Sequence, residues 1–226
     1  MLLLLLHSTA TTAATLVGFA VLPADTFRPG PTSGQFIEPV NGRTPPFLQQ
    51  QPVQGFSALL DRGSNRYLVL SDNGFGKRAN SSDYLLCMYI VEPDFRTATG
   101  GKAVIKFDEV IPLSDPSRFI PYEIVRKTDR LLTGADLDPE SFQRSADGSF
   151  WIGEEFNPSL THFNDRGELL APPFTLAGLS SVDNPSGAPA TLPVSRGFEG
   201  MGISPDGKYL YPMLEGALMN GEGGLN

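Results

Sequence analysis

Apolar and polar positions alternate in short runs along this chain, and three segments repeat one arrangement of these runs. Each segment has a run containing aromatic or aliphatic residues, a short polar turn, and a second such run that is followed by an acidic residue. Short apolar runs on either side of a tight turn are typical of two antiparallel strands. The pattern therefore predicts three β-hairpins, over residues 55–72, 139–155 and 198–215.

Further strand patterns come after the first two hairpins, and these indicate the fold class. They lie at residues 84–91, 103–113, 160–163 and 169–176. Each of the first two units then has four antiparallel strands, as a propeller blade does. The predicted fold is all-β, a β-propeller of four-stranded antiparallel blades that is incomplete in this chain, with about two and a half blades.

The chain divides into two predicted parts. Residues 1–15 contain a leucine run followed by small residues, a pattern typical of a secretory signal peptide or its remnant. Residues 16–226 form the predicted propeller domain. Because the third unit stops after two strands, we expect this domain to be truncated at its C-terminus, as the N-terminal part of a longer protein. Residues 15–22 are expected to supply the strand that closes the last blade.

Composition and the N-terminal segment limit the expected partners and the expected location of the protein. The formal net charge is −8, which repels phosphate backbones, so no nucleic-acid partner is expected. The single cysteine, Cys87, lies in an apolar run and is expected in the core. The N-terminal apolar run is too short to span a bilayer. With the signal segment, this places the protein in a secreted, periplasmic or extracellular location, in an oligomeric state that the sequence leaves unknown.

Acidic residues recur at one end of the predicted hairpins. The first strand of a hairpin starts at the rim to which the second strand returns, and Ser57, Glu140 and Glu199 are equivalent starting positions. Crowded carboxylates repel each other, and a hard cation with oxygen ligands relieves that repulsion. Calcium is the expected cation, because zinc prefers His and Cys. The candidate metal ligands are Asp72, Asp136, Asp138, Glu140, Glu154, Glu199 and Glu215.

Simpler interpretations of some of these residues stay open. Residues 72–74, Asp-Asn-Gly, also have the composition of an ordinary turn. One of Glu154 and Glu155 is expected to be a solvated residue at a strand end. The run 136–140 is similar to a calcium loop, but Ser141 stands where an EF-hand has glycine and a strand comes next, so we reject an EF-hand.

Several longer motifs carry a family resemblance. They include Ser-Asp-Asn-Gly-Phe-Gly at 71–76, Asp-Pro-Glu-Ser at 138–141, Trp-Ile-Gly-Glu-Glu-Phe at 151–156 and Ser-Arg-Gly-Phe-Glu-Gly-Met at 195–201. With these motifs the chain, from about residue 16 to its end, resembles the phytase-like domain family, also called "esterase-like activity of phytase" proteins. The resemblance implies a β-propeller, export and phosphoesterase activity.

Two classes of function remain open. The first is a phytase-like, calcium-assisted hydrolase of phosphate or other esters, acting at the propeller rim on a small anionic or ester substrate. Its candidate catalytic residues are Glu199, Glu155 and Arg196, and Arg196 would clamp the anion. The second is a non-catalytic propeller that binds a ligand or partner and holds calcium as a structural ion. The fold alone does not choose between them.

Overall fold

A computed structural model describes residues 14–39 and 42–219 of the chain. Most of the predicted signal segment and the glycine-rich stretch from residue 220 lie outside the described residues. The described part consists of β-strands and turns, with one short 3-10 helix at Arg78–Asn80. The strands are β1 Gly18–Phe19, β2 Phe27–Pro29, β3 Gln50–Pro52, β4 Phe56–Asp61, β5 Tyr67–Ser71, β6 Cys87–Asp94, β7 Arg96–Thr97, β8 Val104–Pro112, β9 Pro139–Arg144, β10 Phe150–Glu154, β11 Ser159–Phe163, β12 Phe174–Thr175, β13 Phe198–Ile203 and β14 Leu210–Leu214.

The first four-stranded sheet contains β4, β5, β6 and β8, all antiparallel and in that order. The turn between β4 and β5 forms because the Asp61 carboxylate accepts a hydrogen bond from the Gly63 backbone N–H at 2.7 Å. Cys87, at the start of β6, is fully buried beside Val69 and Tyr89. The prediction of a four-stranded unit with a buried cysteine is confirmed.

The second four-stranded sheet has the order β12-β11-β10-β9. In its turn, Gly148 has a φ of 92° and the Asp147 carboxylate accepts the Ser149 backbone N–H at 3.0 Å. The outer strand β12 has only two residues, whereas the sequence predicted a strand over 169–176. Leu169 instead makes an isolated bridge to Phe163, so the predicted strand is broken into two short contacts.

The third hairpin, β13 and β14, forms a two-stranded sheet. Its turn is held by Ser204, whose side-chain oxygen accepts the backbone N–H groups of Lys208 and Tyr209. Alternate side chains of β14 face solvent, and Tyr211 and Met213 are 57% and 62% exposed. The predicted hairpin is confirmed, with an apolar outer face.

The first strands of the three hairpins lie near one another. Strand β9 contacts both β4 and β13. The side chain of Ser141 donates to the Phe198 carbonyl at 3.0 Å, and that of Gln143 donates to the Met201 carbonyl at 2.7 Å. An apolar core fills the space between the two four-stranded sheets; its members include Leu68, Leu70, Met88, Phe142, Phe150, Ile152 and Phe163. This packing brings the rims of the hairpins together.

Residues 15–22, which the sequence suggested as the closing strand of the last blade, pair next to the first sheet. Gly18 and Phe19 of β1 pair with Thr97 and Arg96 of β7, and Val21 bridges Val104 at the start of β8. The backbone of this segment therefore finds its partners beside the first sheet, not beside the third hairpin. Within the described residues, the sheets do not close into a ring. None of the described helices is long and apolar enough to cross a membrane.

Candidate functional site

Each hairpin has a β-bulge near the start of its first strand. The pairing register skips one residue in each case: Ser57, Glu140 and Glu199. A bulged residue has no partner on the neighbouring strand, and the local kink re-aims its side chain. The three bulged residues are the positions that the sequence pattern marked as equivalent. Two of them are glutamates, so the bulges present carboxylates at the rim.

Each second strand is followed directly by an acidic residue, and one further backbone hydrogen bond fixes it. The N–H of this acidic residue donates to the carbonyl of the residue just before the first strand. Because the bond lies next to the bulge, it holds the acidic residue close to the bulged residue of the same hairpin. The three bonds join Asp72 to Gly55 at 2.7 Å, Glu155 to Asp138 at 3.0 Å, and Glu215 to Gly197 at 2.9 Å.

Two glycines allow the chain to approach these acids closely. Gly55 has a φ of 65°, and a side chain there would collide with the Asp72 carboxylate. A side chain at Gly197 would collide with the backbone of Glu155. The same close approach lets the Gly197 N–H donate to the Glu155 carboxylate at 3.1 Å. A carboxylate of the second hairpin is thereby held by the backbone of the third.

The rim contains two clusters of three carboxylates. In the first, one oxygen each of Asp138, Glu140 and Glu155 lie within 4.8 Å of one another. In the second, the same is true of Glu155, Glu199 and Glu215. Glu155 belongs to both, so five acids form one continuous group, which we call the rim cluster. It is buried at Asp138 and Glu155 and open to solvent at Glu199 and Glu215.

Burial and mutual repulsion raise the pKa of the acids in the rim cluster. Burial and the nearby Asp138 charge raise the pKa of Glu140 to about 9. Burial, followed by the charges of Asp138 and Glu199, raises the pKa of Glu155 to about 7. The pKa of Asp138 rises to about 6, again mainly through burial. The metal-free cluster therefore holds protons near neutral pH, and a bound cation would release them.

Neighbouring polar groups orient the buried half of the cluster. The backbone N–H and the side-chain amide of Asn73 donate to the two oxygens of Asp138, at 3.0 and 2.6 Å. The nearby Ser57 side chain partly offsets the rise in the pKa of Glu140. Sequence reasoning assigned no role to Asn73 or Ser57. Asn73 lies in the quoted motif at 71–76, which was the available signal.

Asp72 lies beside the rim cluster but outside both groups of three. Its carboxylate accepts the Gly74 backbone N–H at 2.7 Å, which is the turn that the residues 72–74 suggested. Burial raises the pKa of Asp72, and its charge in turn raises the pKa values of Asp138 and Glu140. Both interpretations of Asp72 thus have support: it closes a turn, and it contributes negative charge to the site.

Two predicted ligands, Asp136 and Glu154, lie outside the rim cluster and are hydrogen-bonded mainly by backbone N–H groups. The Asp136 carboxylate accepts the backbone N–H groups of Val125 and Thr133 and the Thr133 hydroxyl, at 2.8–2.9 Å. Neither acid belongs to the carboxylate groups found among residues 14–39 and 42–219. Glu154 accepts three backbone N–H groups, from Asp138 at 3.3 Å, Phe156 at 2.8 Å and Asn157 at 2.6 Å.

The expectation that one residue of the Glu154–Glu155 pair is solvated is wrong. Glu154 is 0% exposed and Glu155 is 3% exposed. Glu154 is buried because the chain turns directly after it, so that the backbone of 156–157 encloses its side chain. Glu155 is covered in turn by the third hairpin at Gly197.

The candidate anion clamp, Arg196, is exposed and already has a partner. Its guanidinium donates to the Glu215 carboxylate at 2.6 Å and to its neighbour's carbonyl, Ser195 O, at 2.6 Å. Arg196 thus lies at the open end of the rim cluster, beside Glu215. To bind an anion there, the Arg196 guanidinium would have to break its ion pair with Glu215 or contact Glu215 and the anion together.

The fold and the rim together define an all-β protein with an oxygen-rich acidic site of the kind that hard cations prefer. The profile of one protein family, described as "Phytase-like: Esterase-like activity of phytase", matches residues 51–224. The chain belongs to this family, and the identification made from the motifs is confirmed. The match contains all three hairpins and the whole rim cluster.

A relative from Arthroderma benhamiae (strain ATCC MYA-4681 / CBS 112371), described as "Uncharacterized secreted protein", is 32% identical over 108 residues. The alignment covers 39% of this chain and 21% of the relative, so the chain spans about a fifth of that protein's length. No solved structure matches the chain significantly.

Proposed function

We propose that this protein is an exported ester hydrolase that uses calcium at the rim cluster and acts on phosphate monoesters or related small esters. The observation that carries the proposal is the rim cluster itself, two groups of three carboxylates that share the buried Glu155. Membership of the phytase-like family and a relative described as secreted support hydrolysis and export. The N-terminal segment 1–15 is proposed as the export signal or its remnant.

We further propose that the three hairpins are inner parts of propeller blades. The contacts of β9 with both β4 and β13 support this arrangement, because successive inner strands are neighbours in a propeller. The repeated bulge at Ser57, Glu140 and Glu199 supports it as well. In such a fold the starts of the inner strands converge, which accounts for acids from two hairpins meeting at one site.

The donor set fits a calcium ion. All candidate donors are carboxylate oxygens, and the buried group contains Asp138, Glu140 and Glu155. Calcium takes six to eight oxygen ligands, so carbonyls or water would complete the site. When bound, calcium supplies the positive charge that an anionic ester needs at an otherwise negative rim. Glu199 and Glu215 would extend the site towards solvent.

The chain's own residues then have distinct roles. Arg196 binds a phosphate oxygen of the substrate through its guanidinium, after exchanging Glu215 for the ester. Glu199, exposed at its bulge, accepts a proton from the attacking water. The water oxygen bonds to phosphorus while the bond to the ester oxygen breaks, and the leaving oxygen takes a proton from solvent. Glu155, held by the Gly197 N–H, fixes the two halves of the rim relative to each other.

A second function is favoured by one observation. The Arg196 guanidinium donates to the Glu215 carboxylate at 2.6 Å, so the proposed anion clamp already has a partner. A site built for anions would be expected to keep its clamp free. The alternative is therefore a non-catalytic propeller in which calcium only stabilises the rim and the surface binds a ligand or partner.

The test is hydrolysis by the purified natural protein at its full length, with calcium and with a chelator. Three substrates are compared: phytate, a generic aryl phosphate, and an aryl carboxylic ester. We expect calcium-dependent release of inorganic phosphate, lost in Glu199→Gln and reduced in Arg196→Ala. The matched control is Arg144→Ala, which removes an arginine at the opposite end of the second hairpin.

Each pattern of results decides between the proposals. Hydrolysis of none of the three substrates by the calcium-loaded protein would overturn the hydrolase and leave the binding module. Turnover of the carboxylic ester alone would keep a hydrolase but contradict the phosphate assignment and the role of Arg196.

A further inference from the structure

The sequence contains one asparagine in the context that directs N-linked glycosylation. Asn80 is followed by Ser81 and Ser82, which gives the pattern Asn-x-Ser with a residue other than proline in the middle. Two other asparagines, Asn157 and Asn184, also precede serine by two positions, but proline stands between them. Proline at that position blocks the acceptor motif.

The structure places this motif on a surface loop. Asn80 ends the short 3-10 helix Arg78–Asn80, between strands β5 and β6. Ser81 is fully buried, its hydroxyl donating to the Lys77 carbonyl at 2.8 Å and accepting the Phe75 N–H at 3.3 Å. Because Ser81 points inwards, its two neighbours are left at the surface, and both Asn80 and Ser82 are partly exposed.

The amide nitrogen that would carry a sugar is free. The Asn80 Oδ1 lies 3.2 Å from the Ser81 hydroxyl, whose proton goes to the Lys77 carbonyl, and the Asn80 Nδ2 makes no hydrogen bond within the described part of the chain. A sugar attached at Nδ2 would therefore displace no contact of the fold. Asn157 and Asn184 differ, because Nδ2 of Asn184 donates to Oδ1 of Asn157 at 2.9 Å.

We infer that Asn80 carries an N-linked glycan when the chain is made in a eukaryotic secretory pathway. The inference rests on the export proposed above. The donor is an oligosaccharide linked to a lipid pyrophosphate. A bond forms between Nδ2 of Asn80 and C1 of the first sugar, the bond from C1 to the pyrophosphate oxygen breaks, the nitrogen loses one proton, and the lipid pyrophosphate leaves.

The glycan would lie on the loop that borders the rim cluster. This loop starts at Asp72 and Asn73, and Asn73 orients Asp138. Ser81 also packs close to Gly134, which precedes the loop of Asp136 and Asp138. A bulky, hydrated sugar at Asn80 therefore shields the side of the rim that the β5–β6 loop forms, without touching the candidate metal ligands.

The experiment expresses the full natural chain behind a heterologous secretion leader in yeast. Secreted and membrane-retained chains are both digested with a peptide N-glycosidase, an amidase that hydrolyses the bond between the glycan-bearing nitrogen and the side chain and so converts the glycosylated asparagine to aspartate. We expect a mass decrease of one N-glycan and a converted residue at position 80. Glycan transfer occurs on entry into the pathway, so retained chains report it even if export fails. Failure of export is thereby separated from failure of glycosylation.

Variants sharpen the assignment. Asn80→Gln and Ser82→Ala should both abolish the mass decrease, whereas Ser82→Thr keeps the motif and should retain the glycan. The peptides containing Asn157 and Asn184 are the internal controls and should be unmodified. A wild-type chain that is unmodified at Asn80 overturns the inference, and so does a glycan at Asn157 or Asn184.

Discussion

Two sets of acids lie near the strand ends of the hairpins and have different neighbours. Asp136 and Glu154 form the saturated set, because each carboxylate accepts three hydrogen bonds from backbone N–H or hydroxyl groups. The rim cluster is the crowded set, in which the neighbours of Glu140 and Glu155 are chiefly other carboxylates. The two sets share residue type and position near the strand ends, and Asp138 and Glu155 of the rim cluster are buried as Asp136 and Glu154 are.

The two sets differ in their neighbours, although burial raises the pKa of acids in both sets, that of Glu154 to about 8. A saturated carboxylate is satisfied by the protein and stabilises the loops that donate to it. A crowded carboxylate is stabilised only if it takes up a proton or a cation. We therefore propose a structural role for the saturated set and a metal-binding role for the crowded set. Substitutions in either set, and changes of pH or calcium concentration, can test whether the two sets differ in this way.

The largest loss of unfolding free energy is expected from a substitution in the saturated set. Glu154→Ala leaves the N–H groups of Asp138, Phe156 and Asn157 without their acceptor, and should cost roughly 3–5 kcal/mol of unfolding free energy. Urea denaturation measures the loss, which should be equal with calcium and with chelator. The matched control is Glu140→Ala, which in chelator should cost far less. Equal losses for the two variants would remove the distinction between the sets.

The second-largest effect is expected on the stabilisation of the protein by calcium, which depends on the crowded set. Calcium at 100 times its dissociation constant should stabilise the wild-type protein by about 2.7 kcal/mol, because it binds only the folded state. Glu140→Gln should abolish most of this gain while changing stability in chelator little, since Gln is similar in shape to a protonated Glu. Thermal melts of both proteins, with calcium and with chelator, give the comparison. A full calcium gain in Glu140→Gln would contradict the site.

The pH dependence of the metal-free protein is a further test. The pKa values of Glu155 and Glu140 are raised to about 7 and about 9, from ordinary values near 4.5. Burial also raises the pKa of Glu154 to about 8. From about pH 4.5 up to each raised pKa, the folded state binds more protons than the unfolded state, so stability falls as pH rises. The free energy of unfolding in chelator, measured by urea denaturation, should fall between pH 7 and pH 9 by about 1.4 kcal/mol or more.

Two controls accompany the pH measurement. The window lies above the titration of His162, whose pKa is lowered by burial, so histidine does not contribute. Saturating calcium should make the same curve shallower, because the cation keeps the rim-cluster carboxylates ionised in the folded state, whereas Glu154 still titrates. A metal-free protein that gains stability from pH 7 to pH 9 would contradict the crowded set.

The smallest effect on stability is expected at Arg196. Its ion pair with Glu215 is exposed, so Arg196→Ala should cost less than about 1 kcal/mol and leave the calcium gain intact. If Arg196 clamps a phosphate, the same variant should lower kcat/KM for a phosphate ester by roughly ten- to a hundredfold. Kinetics and melts on one preparation separate the two roles. Unchanged kinetics would favour the binding module.

The hairpins were predictable because their signals are local. The turns at 61–65, 145–148 and 204–207 contain the glycine, aspartate and proline residues that tight turns require, and the flanking runs alternate accordingly. The meeting of strand starts and strand ends followed from hairpin geometry. The bulges at Ser57, Glu140 and Glu199 were not predictable, because a bulge depends on the register against the partner strand.

The division of the acids into two sets could not be predicted either. The donors to Asp136 and Glu154 come from loop backbone at Val125, Thr133 and 156–157, and side-chain patterns do not determine where loop backbone points. The position of β1 beside β7 is likewise a long-range pairing between two very short strands. Sequence reasoning identified the acidic residues near the rim. The structure shows which of them face other carboxylates and which are hydrogen-bonded by the backbone.

The central claim is that the rim cluster binds calcium, and direct binding tests it best. Chelator-treated natural protein is dialysed to equilibrium against labelled calcium at neutral pH, beside Glu140→Gln and Glu154→Gln. We predict that wild type binds calcium, that Glu140→Gln largely loses this binding, and that folded Glu154→Gln retains it. No binding by the wild-type protein, or equal binding by wild type and Glu140→Gln, would contradict the account.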